Sequence, residues 1–188
     1  MRHASLRRMS RNATLLLIRH AEDTGRKDDR GLSAAGLCGA WAYVPWFRSR
    51  RGLAPPSILI AAADEADSMR PQQTLEPLAA VQGIRLEARF DEKRYRESAR
   101  LVSRQKRFDG VVTVVCWRHD ELLPLAQALG AQRDALPATW SEEQYGWIIR
   151  LDFDAEGTCS THIASQRLMH ADRRVPRARK PMARQGRG

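Results

Sequence analysis

The chain has 188 residues, 43% hydrophobic and 29% charged, the mixture of one ordinary soluble domain with length enough for a large core. No segment approaches the length of a membrane helix, and the apolar run near the amino terminus is too short, and too soon followed by charge, for a secretory leader; no membrane partner and a cytoplasmic location are expected. The formal net charge of +10 lies at the ends: residues 1–12 carry four arginines, residues 171–188 carry seven Lys or Arg against Asp172, and residues 13–170 hold 21 basic and 21 acidic side chains.

That distribution predicts a basic N-terminal extension (1–12), one domain (13–170) and a disordered basic tail (171–188). The tails could hold polyanions weakly, or be solvated termini without a task. Cys38, Cys116 and Cys159 are odd in number and in no metal-like spacing, which predicts buried, reduced thiols.

In chain order, residues 13–18 read as a buried strand, because Leu15, Leu16, Leu17 and Ile18 show no polar alternation. The strand ends abruptly in Arg19, His20 and Glu22, at the edge where open α/β sheets bind ligands. A charge-dense loop follows over residues 23–30. Gly31-Leu32-Ser33 then reads as a helix start with Ser33 as N-cap. That helix is expected to run to about residue 48, with Leu37, Ala40, Trp41, Val44 and Phe47 inward. Gly39 should weaken it, and Pro45 should kink it or end its regular part.

A second short strand is predicted over 57–62, after the turn signal Pro55-Pro56. An acidic loop with Asp64, Glu65 and Asp67 leads to Arg70, and a helix led by Pro71 should end at Gly83. A third strand is read at 84–86, and a charge-rich helix over 90–106. The β-branched run 111–116 predicts another strand, which delivers Trp117-Arg118-His119-Asp120. A helix over 121–129 closed by Gly130 follows, and residues 145–153 and 158–164 read as a hairpin.

Two apolar strands thus each deliver an Arg-His pair, and a strand-to-helix junction delivers Arg70. A phosphoryl group calls for these side-chain types: the forked N–H donors of arginine to hold its oxygens, and a nucleophile for in-line attack. Clustered arginines also oppose protonation of a nearby imidazole, which keeps a nucleophilic histidine neutral.

The runs LIRHAE (17–22), GLSAAG (31–36), SMRPQQTLEPLA (68–79) and VVCWRHDELLPLAQALG (114–130) occur in an order that resembles the histidine phosphatase superfamily. Within it the chain is similar to the small phosphoglycerate mutase-like proteins, over residues 13–157. The resemblance implies a three-layer α/β/α fold with a mainly parallel central sheet, phosphoglycerate mutase-like. It implies a metal-independent phosphatase without cofactor, acting on a small phosphorylated molecule or phosphoprotein. His20 would be the phosphorylated nucleophile, Arg19, Arg70 and His119 the rest of the phosphate pocket, and Glu22 a residue that orients it, where a plain loop role competes. Gly39 stands where relatives usually carry a larger polar residue.

The proton donor is read as Asp120, which directly follows His119; Glu92, with Asp91 beside it, occupies the region from which the mutase-like branch draws its glutamate. A phosphoglycerate-type mutase ranks second, because the chain is short for the insertions that shape a mutase pocket. A non-catalytic phosphate-binding protein on the same fold is the reading from another class.

Because residues 13–170 are charge-neutral, deleting residues 171–188 should leave the melting temperature and turnover nearly unchanged. It should weaken any salt-sensitive retention on heparin. A large loss of thermal stability would show that the tail is packed.

Overall fold

A computed structural model describes residues 10–168 apart from 27, 50 and 51; the expected tail at 171–188 and residues 1–9 of the N-terminal extension lie outside the described residues. Strand β1 (Ala13–Arg19) lacks polar alternation because both of its faces and both of its edges are covered. On one edge it pairs in parallel with β4 (Val112–Trp117), Leu16 opposite Val114; on the other it pairs antiparallel with β5 (Trp147–Phe153), Leu16 opposite Arg150. Strands β2 (Ile58–Ala61) and β3 (Leu86–Glu87) extend the parallel half, and β6 (Cys159–Ser165) flanks β5, giving the order β3-β2-β4-β1-β5-β6. The sheet is mainly parallel, and the predicted hairpin is its antiparallel edge.

Leu15, Leu17, Val115 and Trp117 bury one face of the sheet against α3 (Tyr95–Arg104) and α4 (His119–Ala128). Leu16, Ile18, Val114 and Cys116 bury the other against α1 (Ala34–Ser49) and α2 (Arg70–Gln82). This is the expected three-layer arrangement. Ser10, ahead of β1, is buried, and the Asn12 N–H donates to the Asp154 carbonyl, so the chain is tied down before the strand begins. Among the described residues no helix is long and apolar enough to cross a membrane.

The structure corrects several local expectations. Helix α1 faces inward with Gly36, Gly39, Ala40, Tyr43 and Phe47, whereas Leu37 and Trp41 are 48% and 57% exposed. The cause is Gly36, where an added Cβ would stand 2.0 Å from the Glu22 carbonyl oxygen. That close approach sets the rotation of the helix, so the glycines are contacts in it rather than weak points. Pro45 lies inside α1 and does not end it: the carbonyl it leaves without an N–H is that of exposed Trp41, which water can serve. Ser33 caps the helix as expected, its Oγ accepting from the Gly36 N–H at 3.0 Å.

Helix α3 begins at Tyr95, not at residue 90, because residues 92–94 form a tighter turn whose start is capped by the Asp91 side chain. Helix α4 begins at His119 itself, two residues before its expected start. Of the three thiols only Cys116 is fully buried; Cys159 is half-buried, and Cys38 is exposed on the outer side of α1.

Gly36→Ala should therefore be among the costliest single-atom additions in the chain. It is expected to lower unfolding stability by about 3 kcal/mol in urea titration, since backbone meets the new methyl and cannot rotate away. Gly110→Ala has open space at its Cβ but a φ of +71°, and should cost clearly less.

Candidate active site

Where β1 ends, the backbone is held from both neighbours. The His20 N–H donates to the Trp117 carbonyl of β4 at 3.1 Å, and the Ala21 N–H donates to Thr74 Oγ1 of α2 at 2.9 Å. Thr74, itself fully buried, donates in turn to the Arg70 carbonyl at 2.8 Å. One hydroxyl thus joins the exit of β1 to the start of α2. The S-x-R-x-x-x-T run places Arg70 and Thr74 one helical turn apart, so the threonine holds the histidine loop while the arginine reaches the site.

His20 is 1% exposed, and its Nδ1 lies 2.8 Å from the Ala21 carbonyl oxygen. A carbonyl can only accept, so this bond requires the proton on Nδ1 and leaves Nε2 with its lone pair. Burial, then the positive charge of Arg19, pushes the His20 pKa down to about 3, with Arg70 acting in the same direction. The imidazole is neutral at any ordinary pH.

Arg19 is 3% exposed. Its guanidinium lies 3.8 Å from the centre of the Tyr145 ring, and it donates to the carbonyls of Ser141 and Glu142. Tyr145 also meets the His20 ring edge-on at 6.0 Å, and its hydroxyl bonds the Asp23 backbone. The Arg19 Nε is buried with no hydrogen-bond partner among the described residues.

Arg70, first residue of α2, donates to the Asp29 carbonyl at 2.6 Å and the Gly31 carbonyl at 3.3 Å, and pairs with Asp23 at 3.5 Å. His119 is the first residue of α4; its Nε2 lies 3.0 Å from Asp120 Oδ1 and 3.9 Å from Glu142 Oε1, and its Nδ1 is buried without a partner among the described residues. Burial and Arg19 lower the His119 pKa against the pull of Asp120 and Glu142. Both α2 and α4 bring their N-terminal ends here, which adds two positive dipole ends to two arginines and favours an anion.

The structure thus brings together Arg19, His20, Arg70, His119 and Asp120. The remaining two candidates stand one step back. Glu92 is 8% exposed and pairs with Arg118 at 2.5 Å, and Arg118 pairs in turn with Asp67 at 3.2 Å. Burial raises the Glu92 carboxyl above its ordinary range against Arg118, with Glu65, Asp67 and Asp120 adding to the rise. Glu22 fastens the loop through its backbone, its carbonyl accepting from the Ser33 N–H at 2.9 Å and the Ser33 hydroxyl at 3.2 Å. The Glu22 carboxylate turns toward Gly39, whose missing side chain leaves it room. Tyr145, Thr74 and Glu142 were not among the sequence candidates. Thr74 was visible in the quoted run, whereas Tyr145 and Glu142 reach the site only through tertiary contact.

No family model matches the sequence, and no curated protein matches it. Solved structures do. A protein from Agrobacterium tumefaciens assigned as the phosphohistidine phosphatase SixA is 21% identical, with a TM-score of 0.51 over 76% of this chain and 93% of its own. A SixA assignment from Nakamurella multipartitia is 19% identical over 80% of this chain and 94% of its own, with a TM-score of 0.48. A mycobacterial glucosyl-3-phosphoglycerate phosphatase in complex with inorganic phosphate is 15% identical over 82% of this chain and 98% of its own, with a TM-score of 0.49. The likeness to the first is one of fold, and it is the fold expected from the LIRHAE and RHDELL runs.

The depressed His20 pKa has a measurable consequence. The unfolded chain binds a proton here near pH 6.5 and the folded one only near pH 3, so stability is fully present above 6.5 and lost as pH falls toward 3. Within that window the wild-type protein should lose up to about 1.4 kcal/mol per pH unit through this group, and His20→Gln should show a correspondingly shallower slope in urea titrations. In NMR titration the His20 ring should stay neutral from pH 8 to 5.

Proposed function

We propose that this chain, whose fold is that of the histidine phosphatase superfamily, is a phosphatase that hydrolyses a phosphomonoester through a phosphohistidine on His20. Its substrate is a small phosphorylated molecule or a phosphoprotein. The observation that carries this reading is the buried neutral imidazole of His20, its proton committed to the Ala21 carbonyl and its Nε2 free, beside Arg19 and Arg70.

In the first step Nε2 attacks phosphorus with its lone pair, the P–O bond to the alcohol breaks, and the leaving oxygen takes a proton from a carboxyl group. In the second, water attacks phosphorus, the N–P bond breaks, the water proton returns to that carboxylate, and inorganic phosphate departs. Arg19, Arg70 and His119 hold the equatorial oxygens, and their positive charge and hydrogen bonds offset the charge that builds there. Neither step calls for a metal ion. We assign the proton to Asp120: its Oδ1 is 3.0 Å from His119 Nε2, and its side chain is 59% exposed, open to the water that the second step consumes. Glu92 keeps Arg118 in place, and Glu22 supports the pocket from the α1 side.

His20→Ala should abolish turnover of an aryl phosphate, a chelator should not, and an acid-avoiding rapid quench should trap phosphohistidine. Undiminished activity in His20→Ala would falsify the reading. Asp120→Asn should slow an alkyl ester by ~10²- to 10⁴-fold and an activated nitrophenyl ester far less. If it slows both equally while Glu92→Gln shows the selective loss, Glu92 is the donor.

A further inference from the structure

Beside His119 and Asp120 the surface opens into a trough of about 1110 Å³. One wall is a face of α4: His119, Asp120, Leu123, Pro124 and Gln127 stand at i, i+1, i+4, i+5 and i+8, a stripe about 12 Å long at 1.5 Å per residue. The opposite face of that helix, with Leu122, Leu125 and Ala126, is spent in the core. The trough is also lined by Leu136, Pro137 and Ala138, by Ile163 of β6, and by Trp140 and Trp147, packed edge to face at 5.4 Å. Besides Asp120, its exposed polar members are Gln127, Arg133, Asp134, Thr139 and His162.

Resting on the phosphatase reading above, we infer that this trough takes the leaving-group half of the substrate, and that this half is elongated and chiefly apolar. His119 and Asp120 belong both to the phosphate site and to the trough, so an ester oxygen beside Asp120 directs its alcohol along α4. The volume exceeds the roughly 300–1,000 Å³ of ordinary ligand pockets, far more than a compact phosphate ester fills. The Leu, Pro, Ala and Ile side chains of the lining give a hydrocarbon chain apolar surface to bury, while exposed Gln127, Arg133, Asp134, Thr139 and His162 keep their contact with water. The carboxylates of Asp120 and Glu142 at the entrance oppose an anionic leaving group. Leu168, the last described residue, packs on the α1 and α2 face, across the sheet from the trough.

The test uses the wild-type protein and n-alkylphosphonates from methyl to octyl, whose C–P bond does not hydrolyse, with binding followed by calorimetry. Affinity should rise about twofold to fourfold per methylene, the yield of partial to full burial. Ala138→Trp, which fills the trough from an exposed loop position, should flatten that series and leave inorganic phosphate and methylphosphonate binding unchanged. A flat series in the wild-type protein overturns the inference and leaves the phosphatase reading standing. A chain-length gain that survives in Ala138→Trp places the chains elsewhere and also overturns it. If no member of the series binds, inorganic phosphate included, the phosphate site itself is refuted and the inference falls with it.

Discussion

The hydrogen bond from His20 Nδ1 to the Ala21 carbonyl, made in the near absence of water, is the constraint on which the rest of this molecule depends. An imidazole in water shares its proton between two nitrogens and with the solvent. Here one nitrogen is bound to a neighbouring carbonyl, and the other faces a cluster of arginine charge. Holding that arrangement requires the strand end to be rigid, and the three contacts that make it so come from three elements: the Trp117 carbonyl of β4, the Thr74 hydroxyl of α2, and the Gly36 Cα of α1 against the Glu22 carbonyl. The central place of β1 in the sheet is what lets all three reach it.

The arginines are fixed by a different device. Both spend donors on backbone carbonyls, Arg19 on Ser141 and Glu142, Arg70 on Asp29 and Gly31. Carbonyls hold a guanidinium without neutralising it, so the charge of Arg19 remains for an anion, and Arg70 adds only a longer pairing with Asp23 at 3.5 Å, whereas Arg118, tied to the carboxylates of Glu92 and Asp67, has its charge met within the protein. The two Arg-His pairs look alike in the sequence and differ in this respect in the structure.

Much of the layering was legible because burial on two faces leaves an unmistakable mark: the unbroken apolar runs at 13–18 and 111–116 are the two central strands. The positions of Arg19, His20, Arg70 and His119 followed from strand ends and helix starts, which are local features. The inward face of α1 was not legible, because the helix is turned by a backbone-to-backbone approach at Gly36 that hydropathy does not register, and Leu37 and Trp41 are left outside. Nor was the contribution of residues 141–145, since stacking Tyr145 on Arg19 joins positions over a hundred residues apart, and neither side chain announces the other.

The partners of β1 carry a consequence for how the chain comes to be folded. Leu15 lies opposite Thr113 on one side and Leu151 on the other, so β1 is synthesised well before either of its neighbours. Such long loops are slow to close, and during the wait an uncovered Leu-Leu-Leu-Ile run is the kind of segment that pairs with other chains. Arg11 and Arg19 bracket it on either side, and flanking charge of that sort opposes stacking between copies. The arginine that later lies buried beneath Tyr145 thus first serves a nascent strand by keeping it apart from its own kind.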